Sequence, residues 1–337
     1  GSLPVPPCLM HAKVATMTPS DAHGTVEHKG AHLLSKRGVG RVADPTFALV
    51  TGVAGLLVLI ILAYMVVVTT ATAMPIFRSQ GWSFIFSTEW SPSQGKYGAL
   101  AFIYGTIVTS LIALIIAVPL SLGVALFLTE IAPKWIRGPV AYLVDLLAAV
   151  PSVVYGLWGV FILLPGFLQP IANWLSHNLG WIPIFSGPAT GLSLFGAGVV
   201  LAIMIIPIIS SLCREVIRAV PSSEKNAAYA LGATRWEMIR GAVLPRAKAG
   251  IIGAVMLGLG RALGETIAVA LLVGSREQVV ASILQPGYSM AAVIANQFQE
   301  ATGDHIRALV GIGVVLFAIT IVVNVAARAL VWRMVES

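Results

Sequence analysis

Six stretches of the chain are apolar for long enough to cross a hydrocarbon core, which takes about 20 helical residues at a rise of about 1.5 Å each. They cover roughly residues 46–72, 99–129, 139–165, 189–213, 247–275 and 307–328. The second lies within a stretch free of charge from Lys96 to Glu130, and the third starts after Gly138-Pro139. Between the third and fourth, Gln169 to Pro188 is too rich in Asn, Pro, Gly and Trp to span. It reads as an external loop with Trp174 and Trp181 at the lipid headgroup level. Trp82, Phe84, Phe86 and Trp90 alternate with polar residues ahead of the second span and read as a further interfacial belt. Residues 1–45 are polar and read as a disordered cytosolic tail with Met10 and Met17 as candidate natural starts, leaving 46–337 as a six-helix membrane domain.

Placement of the basic residues orients this domain, because cytoplasmic loops collect Lys and Arg. With the amino terminus inside, 16 of the 21 fall on the cytoplasmic side, seven of them between Arg214 and Lys248. Four fall outside and one, Arg261, lies within a span. Both termini are therefore expected in the cytoplasm, with the protein in the inner membrane.

Composition agrees. Charged residues make up 10% of the chain, against about 25% in soluble domains, and hydrophobic residues 57% even before glycine is counted. A soluble enzyme is excluded. The net charge of +7 does not indicate nucleic acid, since the basic residues are scattered between apolar spans and form no basic, aromatic-bearing surface. Lipid is the expected surrounding. Cys8 and Cys213 offer no disulfide framework. No G-x-x-x-x-G-K-[ST] loop is present, so the chain has no means of that kind to bind and hydrolyse ATP.

The segment from Arg214 to Lys248 carries local signals of its own. Pro221-Ser222-Ser223 stops one helix and starts another, Gly232 breaks that helix, and Thr234 with Glu237 forms a capping-box pattern for the next, which Leu244-Pro245 is expected to end. A short helix, a glycine turn and a second short helix result. By pattern alone the pair reads as amphipathic and lying on the lipid surface, with its Arg residues near anionic headgroups.

Asp145, Arg261 and Glu265 place formal charge inside spans. Such a group costs roughly 2.5–3.5 kcal/mol at the bilayer centre on insertion scales, so it faces protein or water. Arg261 lies near mid-bilayer, and Glu265 follows at i+4 on the same helical face. The pair either neutralises itself between helices or presents a planar cation to a passing oxyanion, with Glu265 limiting how tightly that anion is held. Gly260 and Gly264 around it have the small-xxx-small spacing that lets a neighbouring helix come close. Pro151 should kink the third span, and Ser152 and Tyr155 beyond it offer hydroxyls either to a dehydrated anion or back to their own helix. Asp145 is expected to pair with a loop Arg or Lys. Ser289–Gln299 suggests a short helix over the pore mouth.

Asn226-Ala227-Ala228, Gly232 and the terminal Leu244-Pro245 resemble the EAA loop of ABC importer permeases, in which E-A-A, a glycine four residues after the second alanine and a final L-P recur. Asn226 stands where that motif is acidic. The resemblance implies that the loop docks into a cytosolic ATPase through Asn226, Ala227, Ala228, Gly232, Trp236, Leu244 and Pro245. The runs Arg261–Val269, Leu146–Gly159 and Pro286–Ala291 closely resemble the phosphate-specific ABC importer permeases, the PstC type more than the PstA type, and the match extends from about residue 45 to the end. It implies an all-α membrane protein, a type I ABC importer permease of six transmembrane helices with a helix-turn-helix coupling loop at about 214–246. It also implies phosphate passage at Arg261 and Glu265. The implied partners are a second permease of the PstA type, two ATPases holding the ATP and Mg, and an external phosphate-binding protein, with no cofactor in this chain. A permease for sulfate, molybdate or a phosphonate, an ATP-independent channel or carrier, and a sensory scaffold are the alternatives.

Overall fold

The computed structural model describes residues 40–189 and 191–335. In chain order the elements are α1 (Gly40–Gln80), α2 (Ser83–Phe86), a short hairpin of β1 (Trp90–Ser91) and β2 (Lys96–Tyr97), α3 (Leu100–Leu126), α4 (Lys134–Ala148), α5 (Ser152–Trp158), α6 (Gln169–Leu179), α7 (Leu194–Arg218), α8 (Ser222–Ala230), α9 (Arg235–Met238), α10 (Leu244–Leu263), α11 (Ile267–Leu272), α12 (Met290–Gln297) and α13 (Asp304–Val335). Wide π-type stretches at Phe127–Ile131, Gly159–Leu168 and Ile239–Val243 extend α3, join α5 to α6 and join α9 to α10. Six helical segments are long and apolar enough to cross a membrane: Pro45–Gln80, Leu100–Ile131, Ser152–Leu179, Leu194–Arg218, Arg235–Leu263 and Asp304–Ala329. The chain divides at Ala63 into two units. Of the first, residues 40–63 are described, all helical; the packing below belongs to the second.

Most expected spans are present, but several boundaries move. Helix α1 is already formed at Gly40, inside the stretch expected to be a disordered tail, whose residues 1–39 lie outside the described ones. The third span does not start after Pro139. That proline lies within α4, an amphipathic helix of its own, and the chain breaks at Val150-Pro151 before the span Ser152–Leu179. Proline lacks an N–H and pushes the residue before it out of the helical region, which places the break there. The phenol of Tyr155 donates to the Leu147 carbonyl at 2.8 Å across the break. The first part of the expected external loop, Gln169–Leu179, is helical, because the wide stretch around Pro165 absorbs the missing donor and lets the helix continue. Trp174 and Trp181 are exposed there, as an interfacial site requires. Leu244-Pro245 likewise does not end a helix. The π stretch before it relieves the clash of the proline ring with the preceding turn, and Arg235–Leu263 runs as one span.

The core of the second unit is built on α7, the most enclosed span, with 67% of its apolar window buried against 22–28% for the neighbouring ones. Leu201, Ile205, Ile209 and Ile217 on it are fully buried. Interhelical approach relies on missing side chains. Gly198 meets Ile112 of α3, and Gly105 lies against the backbone of Tyr288; two residues on, Met290 donates its N–H to Thr106 Oγ1 at 2.9 Å. The latter contacts pin α12, a helix capped by Ser289 and buried along Met290–Val293 instead of lying free over an opening. Of the expected aromatic belt, Trp82 and Phe86 are exposed, while Phe84 and Trp90 are buried. Trp90 packs edge-on to Tyr97 and Phe102, with ring centroids 5.3 and 5.0 Å away.

Candidate functional site

The helix–glycine–helix loop is formed as its local signals require. Helix α8 ends at Ala230, Gly232 turns the chain at φ +82°, and Thr234 caps α9 with the reciprocal Glu237 contact of a capping box. The left-handed turn is nearly reserved for glycine. Asn226, Ala227, Gly232, Trp236 and Pro245 are exposed, whereas Ala228 and Leu244 are half-buried. Leu231 and Trp236, 90% and 63% exposed, give the tip an apolar character.

Ion pairs fix this loop to the spans. Lys225 of α8 reaches Glu130 at the end of α3 at 2.6 Å, both side chains being largely buried, and Glu224 meets Arg246 at 3.6 Å. Arg214, at the loop end of α7, is buried and pairs with Asp145 at 2.8 Å, the kind of partner expected for that carboxylate. Sequence reasoning missed the pair of Lys225 and Glu130; 95 residues separate them, and no local pattern links them.

From the loop, α10 rises into the spans with two distinct stripes. Gly250, Ala254, Gly258 and Ala262 recur every four residues and face α7. A methyl group at Gly250 would collide with Val216, and one at Gly258 would lie 2.5 Å from Ile209. These are the close helix contacts. Gly260 and Gly264, the pair expected to supply them, do not: no neighbouring helix comes within 4 Å of a side-chain position at either. The packing stripe was present in the sequence at the same spacing, ten residues upstream of the pair singled out.

The other stripe is open. Arg261 is exposed and lines a cavity of about 480 Å³ with Ile208, Gly253, Met256, Gly260 and Asn324. No hydrogen bond or ion pair engages Arg261 among the described residues. Nor does Glu265 lie one helical turn beyond it. Helix α10 stops at Leu263, Gly264 N–H donates back to the Gly260 carbonyl at 3.3 Å, and Glu265 and Thr266 form a non-helical link to α11. The i+4 geometry is thus lost, and the self-neutralising pair is absent. What remains is a guanidinium whose donors no described residue engages, in a cavity that no carboxylate among the described residues lines. Such a group suits an anion with two oxygens to offer.

Ser152 and Tyr155 do not join it. Neither lines that cavity, and the Tyr155 hydroxyl is committed to Leu147. Asn324 was not anticipated, although an amide in the otherwise apolar run of α13 is itself a signal.

Six long apolar segments, a capped loop between the fourth and fifth, and in the fifth a cation without a partner among the described residues are features that suit a membrane transport component. Residues 117–336 match the family of binding-protein-dependent transport system inner membrane components. In a crystal structure of a bacterial alginate ABC transporter in complex with an alginate pentasaccharide-bound periplasmic protein, one chain superposes with a TM-score of 0.59 at 16% identity, covering 90% of this chain and 99% of that one. A chain of the inward-facing MetNI methionine ABC transporter gives 0.53 at 15% identity, covering 73% and 99%. Both likenesses concern the fold. The phosphate transport system permease protein PstC of Xylella fastidiosa is 51% identical over 259 residues, 76% of this chain and 80% of the relative. PstC of Haemophilus influenzae is 44% identical over 87% of this chain and 95% of its own, and PstC 2 of Mycobacterium tuberculosis 41% over 86% and 92%. The chain belongs to the PstC family of inner-membrane permeases. As such it is the non-catalytic membrane component of an ABC transporter, and ATP hydrolysis belongs to a separate subunit.

Proposed function

We propose that this chain moves inorganic phosphate across the inner membrane into the cell, as one of two permease subunits of an ATP-driven importer. The observation that carries the reading is Arg261, without a partner among the described residues, in a cavity between spans, in a chain whose relatives are named phosphate transport permeases. Phosphate at neutral pH offers several charged oxygens to the guanidinium fork, and charge-assisted hydrogen bonds of this kind contribute about 1.5–3 kcal/mol each. Glu265 forms no ion pair with Arg261, and no other carboxylate among the described residues competes with the anion there.

In this reading the second permease is of the PstA type, two ATPases carry ATP and Mg, and an external binding protein delivers phosphate. The chain itself takes no cofactor. Both termini and the loop Arg214–Lys248 face the cytoplasm, which the uneven distribution of basic residues supports. The exposed apolar tip at Leu231 and Trp236 supports docking of that loop into an ATPase.

The test is phosphate uptake by proteoliposomes holding the whole complex. Arg261→Ala should lower uptake roughly 10- to 100-fold, the equivalent of one lost charged contact, with assembly unchanged. Normal uptake by an assembled variant would remove Arg261 from the path, and uptake of sulfate in preference to phosphate would favour a permease for another oxyanion.

A further inference from the structure

A second cavity, of about 650 Å³, continues the one that holds Arg261. The two share Gly253, Met256 and Asn324. The second adds Ala249, near the loop end of α10, and Arg328, near the end of α13. The helices run in opposite directions here, so the polar groups fall in sequence along one groove. Arg261 lies eight residues beyond Gly253 on α10, about 12 Å farther from the loop than Gly253 at a rise of about 1.5 Å per residue. Asn324 marks the junction, and Arg328, four residues on, lies about 6 Å nearer the loop end on the same face of α13.

None of the three has a hydrogen bond or ion pair among the described residues. Thr320, the other polar residue between Arg307 and Arg328, satisfies its hydroxyl on the Leu316 carbonyl at 2.8 Å, so Asn324 alone in that run offers an uncommitted polar group. No carboxylate among the described residues lines either cavity. Gly253 keeps the junction wide, with nothing within 4 Å of where a methyl group would project.

We propose that Asn324 and Arg328 form a second oxyanion station, which receives the anion from Arg261 and holds it on the loop side of the groove before release. The proposal rests on the phosphate reading for the identity of the anion, though not for the existence of the station. A single fixed cation that binds its cargo tightly retards release; a second one along the same groove, preceded by a neutral amide donor, draws the anion onward.

The experiment measures phosphate uptake and ATP hydrolysis in proteoliposomes of the intact complex. Arg328→Gln and Asn324→Leu should each lower the maximal rate about tenfold, the scale of one lost polar contact to a charged group, and leave the half-saturating concentration of phosphate-loaded binding protein unchanged. Arg328→Lys, which keeps the charge, should recover most of the rate. In a Cys8→Ala Cys213→Ala background, Asn324→Cys should react faster with an anionic than with a cationic methanethiosulfonate reagent, and phosphate should slow that reaction. Wild-type rates in Arg328→Gln and Asn324→Leu, or equal reactivity toward both reagents without protection by phosphate, would overturn the station. If the unaltered complex carries another oxyanion instead, the phosphate reading fails, and the same variants assayed with that anion decide the station on its own.

Discussion

Lys225 Nζ lies 2.6 Å from Glu130 Oε1, joining the first helix of the loop to the end of α3 across 95 residues of sequence. The side chains are only 19% and 10% exposed, so the pair is shielded from water and salt. It ties the exposed tip that includes Trp236 to the spans. Severing a fully buried pair costs about 3–5 kcal/mol, and residual exposure here lowers that to roughly 1–3. Glu130→Gln should therefore lower the thermal stability of the complex and the phosphate moved per ATP hydrolysed. The exchange Glu130→Lys with Lys225→Glu should restore both; a doubly exchanged complex no better than the single variants would show that the contact is incidental.

Gly232 adopts φ +82° with open space around it, so a side chain there would be opposed by the backbone alone. An L-residue in this conformation costs about 1–2 kcal/mol, and a β-branched one more. Gly232→Val is expected to tilt α8 against α9, leaving ATP hydrolysis active but poorly linked to transport. The ratio of phosphate to ATP reads this directly, and an unchanged ratio would mean that the turn only rests on lipid.

The two glycine stripes of α10 predict opposite outcomes. Gly258→Leu pushes into Ile209 and should lower the melting temperature of the purified complex by several degrees, in line with a cost of about 1–3 kcal/mol for overpacking. Gly260→Ala meets nothing and should melt as the parent does, or slightly higher, since alanine stabilises a helix by about 1 kcal/mol over glycine. Equal destabilisation by both would contradict the assignment of the faces.

Tyr155→Phe removes the donor that reaches Leu147 across the Pro151 break. Loss of one such bond should cost about 0.5–1.5 kcal/mol of stability, and uptake should stay near the parent rate. A large loss of uptake with no loss of stability would return the hydroxyl to the substrate path.

What could be read from the sequence follows a physical division. Apolar length identifies spans because the bilayer thickness is fixed, and the capping box at Thr234 and Glu237 is legible because all its partners are local. Proline positions misled where a wide helical turn intervenes: Pro165 and Pro245 are absorbed by π stretches, while Pro151 breaks the chain. Helical spacing assigned Glu265 to the face of Arg261, because Gly264, which here ends the helix, was read for its packing spacing instead of as a stop. The glycine spacing was genuine but occurs twice on α10, and only neighbours in space tell the packed set from the open one. Arg261 itself was legible because a charge amid apolar residues needs a reason, whereas Asn324 was overlooked for want of a charge.

The continuity of the helix through Pro245 has a mechanical consequence. Trp236 and Arg261 lie on one continuous helical segment, Arg235–Leu263, so a single rod of roughly 40 Å, at about 1.5 Å per residue, carries the exposed apolar tip at one end and the guanidinium at the other. No flexible joint lies between the two, so a displacement of the tip is passed along the rod to the guanidinium instead of being absorbed between them.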